Sequence, residues 1–94
     1  MLRLELAARV TPDSAQALWY ELESRFDAAG PKPALVIDAA AVRHLSAAAV
    51  QVLLVARQRA QRDGGALVMT APSPDCVECL RVMGASSLLG KVPT

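Results

Sequence analysis

Aromatic residues are scarce in this 94-residue chain, which has a single tryptophan, a single tyrosine and a single phenylalanine. Its apolar content of 53% is built mostly from alanine, leucine and valine. No apolar run approaches the roughly 18–20 residues needed to cross a bilayer, so direct membrane insertion is not expected. A basic block is also missing: 10 Lys and Arg nearly cancel 9 Asp and Glu, leaving +1. Nucleic acid is therefore not an expected partner. A paired acid–base set of the kind catalysis needs is absent, which argues against an enzyme, and no cofactor is expected. The opening MLRLELAARV alternates like a strand and carries charge, unlike a secretory signal, so the cytoplasm is the expected compartment.

What is present reads as one domain over residues 1–94, made of alternating elements without linkers or repeats. Residues 2–7 alternate as a strand with Leu2, Leu4 and Leu6 on one face. Thr11-Pro12 starts a helix, with Thr as N-cap and Pro at the first helical position. Ala15, Leu18, Trp19, Leu22 and Phe26 form its apolar stripe to about Ala29, and Gly30 stops it. The run Ala34–Ile37 shows no alternation, as expected for a central strand covered on both faces. Three helices in so short a chain cannot cover both faces of a sheet well, which points the other way: one face partly exposed, or buried against a partner. The β-α-β-α-β-α order predicts a small, mostly parallel α/β sheet with right-handed crossovers.

The most informative stretch runs from Ala34 to Met69. An apolar strand ends in Asp38, a short loop AAAVRHL follows, and Ser46 opens a helix that runs to about Asp63 before Gly64-Gly65. Ala49, Val50, Leu53, Ala56 and Ala60 read as its inner face, while Gln51, Gln58 and Arg62 mark the outer face with Val55 among them. Such a βαβ unit sets the helix N-terminus at the carboxyl edge of a parallel pair, where interaction sites gather. That edge carries one hydroxyl, one imidazole and otherwise alanine. Arg43, His44, Ser46, Ala47, Ala48, Val50 and Gln51 are the expected partner-binding residues: a helix start presents unpaired N–H groups, and alanines permit close approach of another backbone. Ser46 reads first as an N-cap, Asp38 as an acceptor for loop N–H groups, and Arg57, Arg59 and Arg62 as a solvated face that complements the helix dipole.

After strand Ala66–Met69, Ser73-Pro74 begins a helix carrying Cys76, Cys79, Leu80 and Met83 to Gly84. Cys76-Val-Glu-Cys79 is a C-x-x-C near a helix start, where a redox motif would sit. The same positions fall at i, i+3, i+4 and i+7, the buried stripe of an amphipathic helix, which is the simpler reading. Zinc would need further ligands, and His44 is distant in sequence. A short turn, SSLLG, and the tail KVPT end the chain.

The order LVIDAAAVRHLSAAAVQVLL, then RDGGALVM, then SPDCVECLRVMGA resembles the STAS domain family, anti-sigma factor antagonists and related bacterial regulators. The resemblance covers nearly the whole sequence. It implies a STAS-like small mixed or parallel sheet with helices mainly on one side, shortened at the N-terminus because the family's usual first strand is missing. Laid over the family's helix start, Ser46 takes the place of the usual Asp, and Ala47 takes that of the serine phosphorylated in antagonists. The usual phosphoacceptor is then absent, and Ser46 serves as one only if the register slips by one. The resemblance further implies a non-enzymatic module that binds a larger signalling protein: a kinase, an anti-sigma factor or a chemotaxis component. The alternative is a STAS subunit bound to the ATPase of an ABC-type phospholipid-trafficking transporter. A C-x-x-C oxidoreductase is the third class, and the missing acid–base set argues against it.

Overall fold

Hydroxyl side chains start the helices. In the computed structural model, which describes residues 2–89, Thr11 caps α1 (Pro12–Ala29). Its Oγ1 accepts the Ser14 N–H at 3.2 Å while Ser14 Oγ accepts the Thr11 N–H at 2.8 Å, a reciprocal capping box. Ser46 caps α2 (Ala47–Arg62) and Ser73 caps α3 (Pro74–Val82), each through one side-chain oxygen. Gly30 ends α1 at φ 71°, where a Cβ would be strained.

Between the helices run β1 (Leu2–Glu5), β2 (Arg9–Val10), β3 (Ala34–Asp38), β4 (His44–Leu45) and β5 (Ala66–Thr70). β1, β3 and β5 form a parallel three-stranded sheet with β3 in the centre. β2 and β4 make a separate parallel pair, Arg9 opposite His44 and Val10 opposite Leu45. The main helices and strands lie where the sequence puts them; the β2–β4 pair is new. The α2–β5 turn is tight at Gly65, where an added Cβ would meet the Pro33 carbonyl oxygen at 1.8 Å. That approach lets the Ala66 N–H reach the same carbonyl at 2.8 Å and begin the β3–β5 ladder.

The sheet has one apolar face. Register sets Leu2 and Leu4 beside Leu35 and Ile37, which sit beside Leu67 and Met69. This row packs with Leu18, Leu22, Phe26, Leu53 and Ala56 from α1 and α2 into one core. Each fully buried leucine of this kind contributes roughly 1.5–3 kcal/mol. The other face carries Arg3, Glu5, Val36, Asp38, Val68 and Thr70, and Val68 is 41% exposed. The expectation that the central strand is covered on both faces is therefore corrected: β3 alternates, with Leu35 and Ile37 buried but Ala34 exposed and Val36 half-buried. Its helices have a single apolar stripe each and pack on one side, the side their loops reach. The competing expectation of one uncovered face describes the sheet.

Four further residues depart from expectation. Trp19 is only partly buried at the edge of the core. Met83 is 38% exposed because α3 ends at Val82, and the helical period no longer applies at the C-cap. Arg59 is not simply solvated: its guanidinium lies 5.1 Å from the Phe26 ring centre and 3.4 Å from Asp27 Oδ1, tying α2 to α1. Arg57 likewise donates to Ser87 Oγ at 2.9 Å, on the closing 3-10 turn Ser86–Leu89. Gly90 of the SSLLG turn and the whole KVPT tail lie outside the described residues.

Candidate functional site

Asp38 ends β3 and organises the loop that follows. Its Oδ1 accepts the Ala40 N–H at 3.0 Å, and its other oxygen pairs with the Arg3 guanidinium across the sheet. That N–H bond first, and Arg3 second, hold its carboxyl below the usual carboxylate range. The loop is then pinned from two further directions. Arg43 and His44 both donate their backbone N–H to the Ala8 carbonyl, at 2.7 and 3.1 Å. Ser73 Oγ donates to the Val42 carbonyl, and the Ser73 N–H reaches Ala39 O at 3.2 Å. Ala39, Val42 and Leu45 are buried beneath it. A rigid shoulder results, from which the Arg43 and His44 side chains project into solvent.

Ser46 sits at the root of this shoulder. Its side-chain oxygen accepts the Ala49 N–H at 3.1 Å, and the residue is 6% exposed. Ala47 and Ala48 lie outside it, exposed, at the first positions of α2. Their N–H groups have no acceptor within the helix. Gln51 is exposed one turn on.

Of the residues expected at the partner face, Arg43, His44, Ala47, Ala48 and Gln51 therefore share one accessible surface. Val50 does not: at 3% exposure it lies in the core, and this is a correction. It falls one residue after Ala49 and three before Leu53, on the stripe that packs inward. Ser46 is corrected in the same sense, since its side chain supports the surface from within instead of forming part of it.

The surface also extends where sequence did not place it. Trp19, Gln51, Val52 and Val55 line an apolar groove of ≈ 230 Å³ between α1 and α2. Val55 is 46% exposed. Ala48, Gln51, Val52 and Val55 repeat at i, i+3, i+4 and i+7, so the groove continues the helix start as one strip. The spacing of Val55 after Gln51 was the available signal. The sequence sets Val55 on the outer face of α2; what it did not show is that Trp19 would lie at the rim of α1 beside it. On the other side, Asp75 at the start of α3 joins Arg43 around a shallow depression.

The cysteines lie elsewhere. Cys76 is fully buried with its Sγ 3.6 Å from Met69 Sδ, while Cys79 is partly exposed. Burial, then the neighbouring Cys79, pushes the Cys76 thiol up to about 11. A nucleophilic thiol needs the opposite shift. Among the described residues no group of three or more His, Cys, Asp and Glu side chains is placed to hold a metal ion. No described helix is long and apolar enough to cross a membrane.

A protein-family model described as Mlab, STAS domain, matches residues 1–90. A search of curated proteins finds no match to the chain.

Proposed function

The chain belongs to the STAS domain family, and we propose that it is a non-enzymatic cytoplasmic docking module, acting in chemotaxis-type or anti-sigma partner-switching regulation. Its docking face is the shoulder of Arg43 and His44 with Ala47, Ala48 and Gln51. The observation that carries this reading is the helix start itself. Ala47 and Ala48 are exposed and small, with N–H groups free for a partner, while the nearby hydroxyl is buried and engaged with Ala49. A phosphate at the usual acceptor position would add about −1.5 to −2 charges and drive a partner off. Alanine at position 47 cannot take one, so binding is constitutive and is set by expression or by the partner's own state. The apolar strip through Val52 and Val55 adds a surface that a partner helix or loop would cover.

The matched family's description, which names Mlab beside the STAS domain, is the ground for a second reading. In it the same face docks on the ATPase of an ABC-type phospholipid-trafficking transporter. Affinity capture with the wild-type chain and with Ala47→Asp, followed by identification of the bound proteins, separates the two. A kinase, anti-sigma factor or chemotaxis component lost in the variant supports the first reading. Recovery of transporter subunits alone replaces it with the second.

A further inference from the structure

β1 is a free edge of the main sheet. Among the described residues it pairs with β3 alone. Leu6 continues the ladder, donating its N–H to Asp38 O at 2.9 Å. In a parallel pair, backbone groups alternate between the two sides of the strand. Leu2, Leu4 and Leu6 therefore turn theirs toward β3, and Arg3 and Glu5 turn theirs outward to an unpaired edge. The side chains alternate in the other direction: Leu4 and Leu6 are buried on the apolar face, and Arg3 and Glu5 are exposed on the open one.

We propose that two copies of this chain pair through β1, antiparallel about a twofold axis at Leu4, joining their sheets into one. The argument is the self-complementarity of five residues. Centred on Leu4, Arg3 of one copy lies opposite Glu5 of the other, and Glu5 opposite Arg3. Both carry outward backbone groups, so each opposition is a hydrogen-bonded pair that exchanges N–H···O bonds. Leu2 then lies opposite Leu6, and Leu4 opposite itself, all on the apolar face. Moving the centre by one residue sets Arg3 against Arg3 or Glu5 against Glu5, a like-charge opposition. A shift by half that step sets leucines against charged side chains on the wrong face. One register satisfies backbone, charge and hydrophobic pattern together.

The surroundings of the edge favour this occupant. In the single chain Glu5 lies beside Asp38 in register, while Arg3 is engaged with Asp38. Glu5 thus has a like-charged neighbour across the strand, and the second copy supplies an arginine opposite it. The edge borders a groove of ≈ 190 Å³ between β1 and α1 with Leu4, Leu6, Val10 and Leu18 in its lining, and the second copy's leucine row would cover it. Ala17, Ser24 and Ala28 of α1, small and exposed, flank the same side and leave room for a second α1.

The test is sedimentation of the full chain over a concentration series up to about 1 mM, with backbone amide exchange followed by NMR. A monomer–dimer equilibrium is expected, and exchange at the Arg3 and Glu5 amides should slow in step with the dimer fraction. Glu5→Arg and Arg3→Glu should each weaken the dimer by about tenfold or more. An equimolar mixture of the two variants should form a heterodimer, and the double variant carrying both should again self-associate. Restoration of that kind cannot arise from a misfolded single variant. A chain that stays monomeric throughout overturns the proposal. So does a dimer indifferent to both charge reversals, or β1 amides protected only when an extended peptide from another protein is added.

Discussion

Ser46 holds the Ala49 N–H at 3.1 Å from beneath the surface, at 6% exposure. One hydroxyl thus fixes the start of α2 and is withdrawn from the face that the helix start presents. Ser46→Ala should cost about 1–2 kcal/mol, the upper part of the range for lost N-caps, because a buried N–H also loses its acceptor. Urea unfolding measures it. An unchanged midpoint would mean that the cap does not hold the helix.

Ala47→Asp separates docking from folding. Carboxylates in the first turn of a helix are stabilising, by about 0.3–1 kcal/mol. The variant should therefore melt at or slightly above the wild-type temperature while losing partner affinity. Parallel loss of both would show that Ala47 serves the fold and not the interface.

Acid sensitivity should run through Asp38. Its carboxyl is held low by the Ala40 N–H and by Arg3. The contribution is present above the unfolded-state value of about 3.9 and disappears as pH falls through the lower folded value. Asp38→Asn should lower stability at neutral pH and flatten its decline as pH falls below about 4. Urea midpoints across that window check the sign, and a variant with the wild-type slope contradicts it.

The two thiols should behave differently. Cys76, buried and pushed up to about 11, should react with a thiol reagent only in denaturant. Cys79, partly exposed, should react in the folded protein. Intact-mass counting of adducts reads this directly. Rapid labelling of both without denaturant would restore the C-x-x-C as a reactive pair.

Local chemistry was legible in the sequence, and relations between elements less so. Thr11-Pro12 and Ser73-Pro74 announce helix starts because a cap involves only neighbouring residues. Leu2, Leu4 and Leu6 announce a face because strand side chains alternate wherever the strand lies. The apolar run Ala34–Ile37 could not reveal that Val36 would face outward, since that depends on where α1 and α2 pack. β2 and β4, at two residues each, carry no periodicity of their own and form because the loop carrying His44 is drawn to Ala8 and Val10. The alanine-rich helix start was visible, but its depth was not. The spacing already set Val50 on the inner face, against its place among the partner residues, whereas the burial of the Ser46 hydroxyl and the half-exposed position of Trp19 depend on how α1 and the loop pack against α2.

The most direct test of the docking face is amide exchange of the chain, free and bound to the partner that affinity capture identifies. In the free chain the Ala47 and Ala48 N–H groups, without intrahelical acceptors, should exchange fast. In the complex they should be protected together with Arg43, His44 and Gln51. Protection confined to α1 and α3, with Ala47 and Ala48 still exchanging freely, would contradict the account.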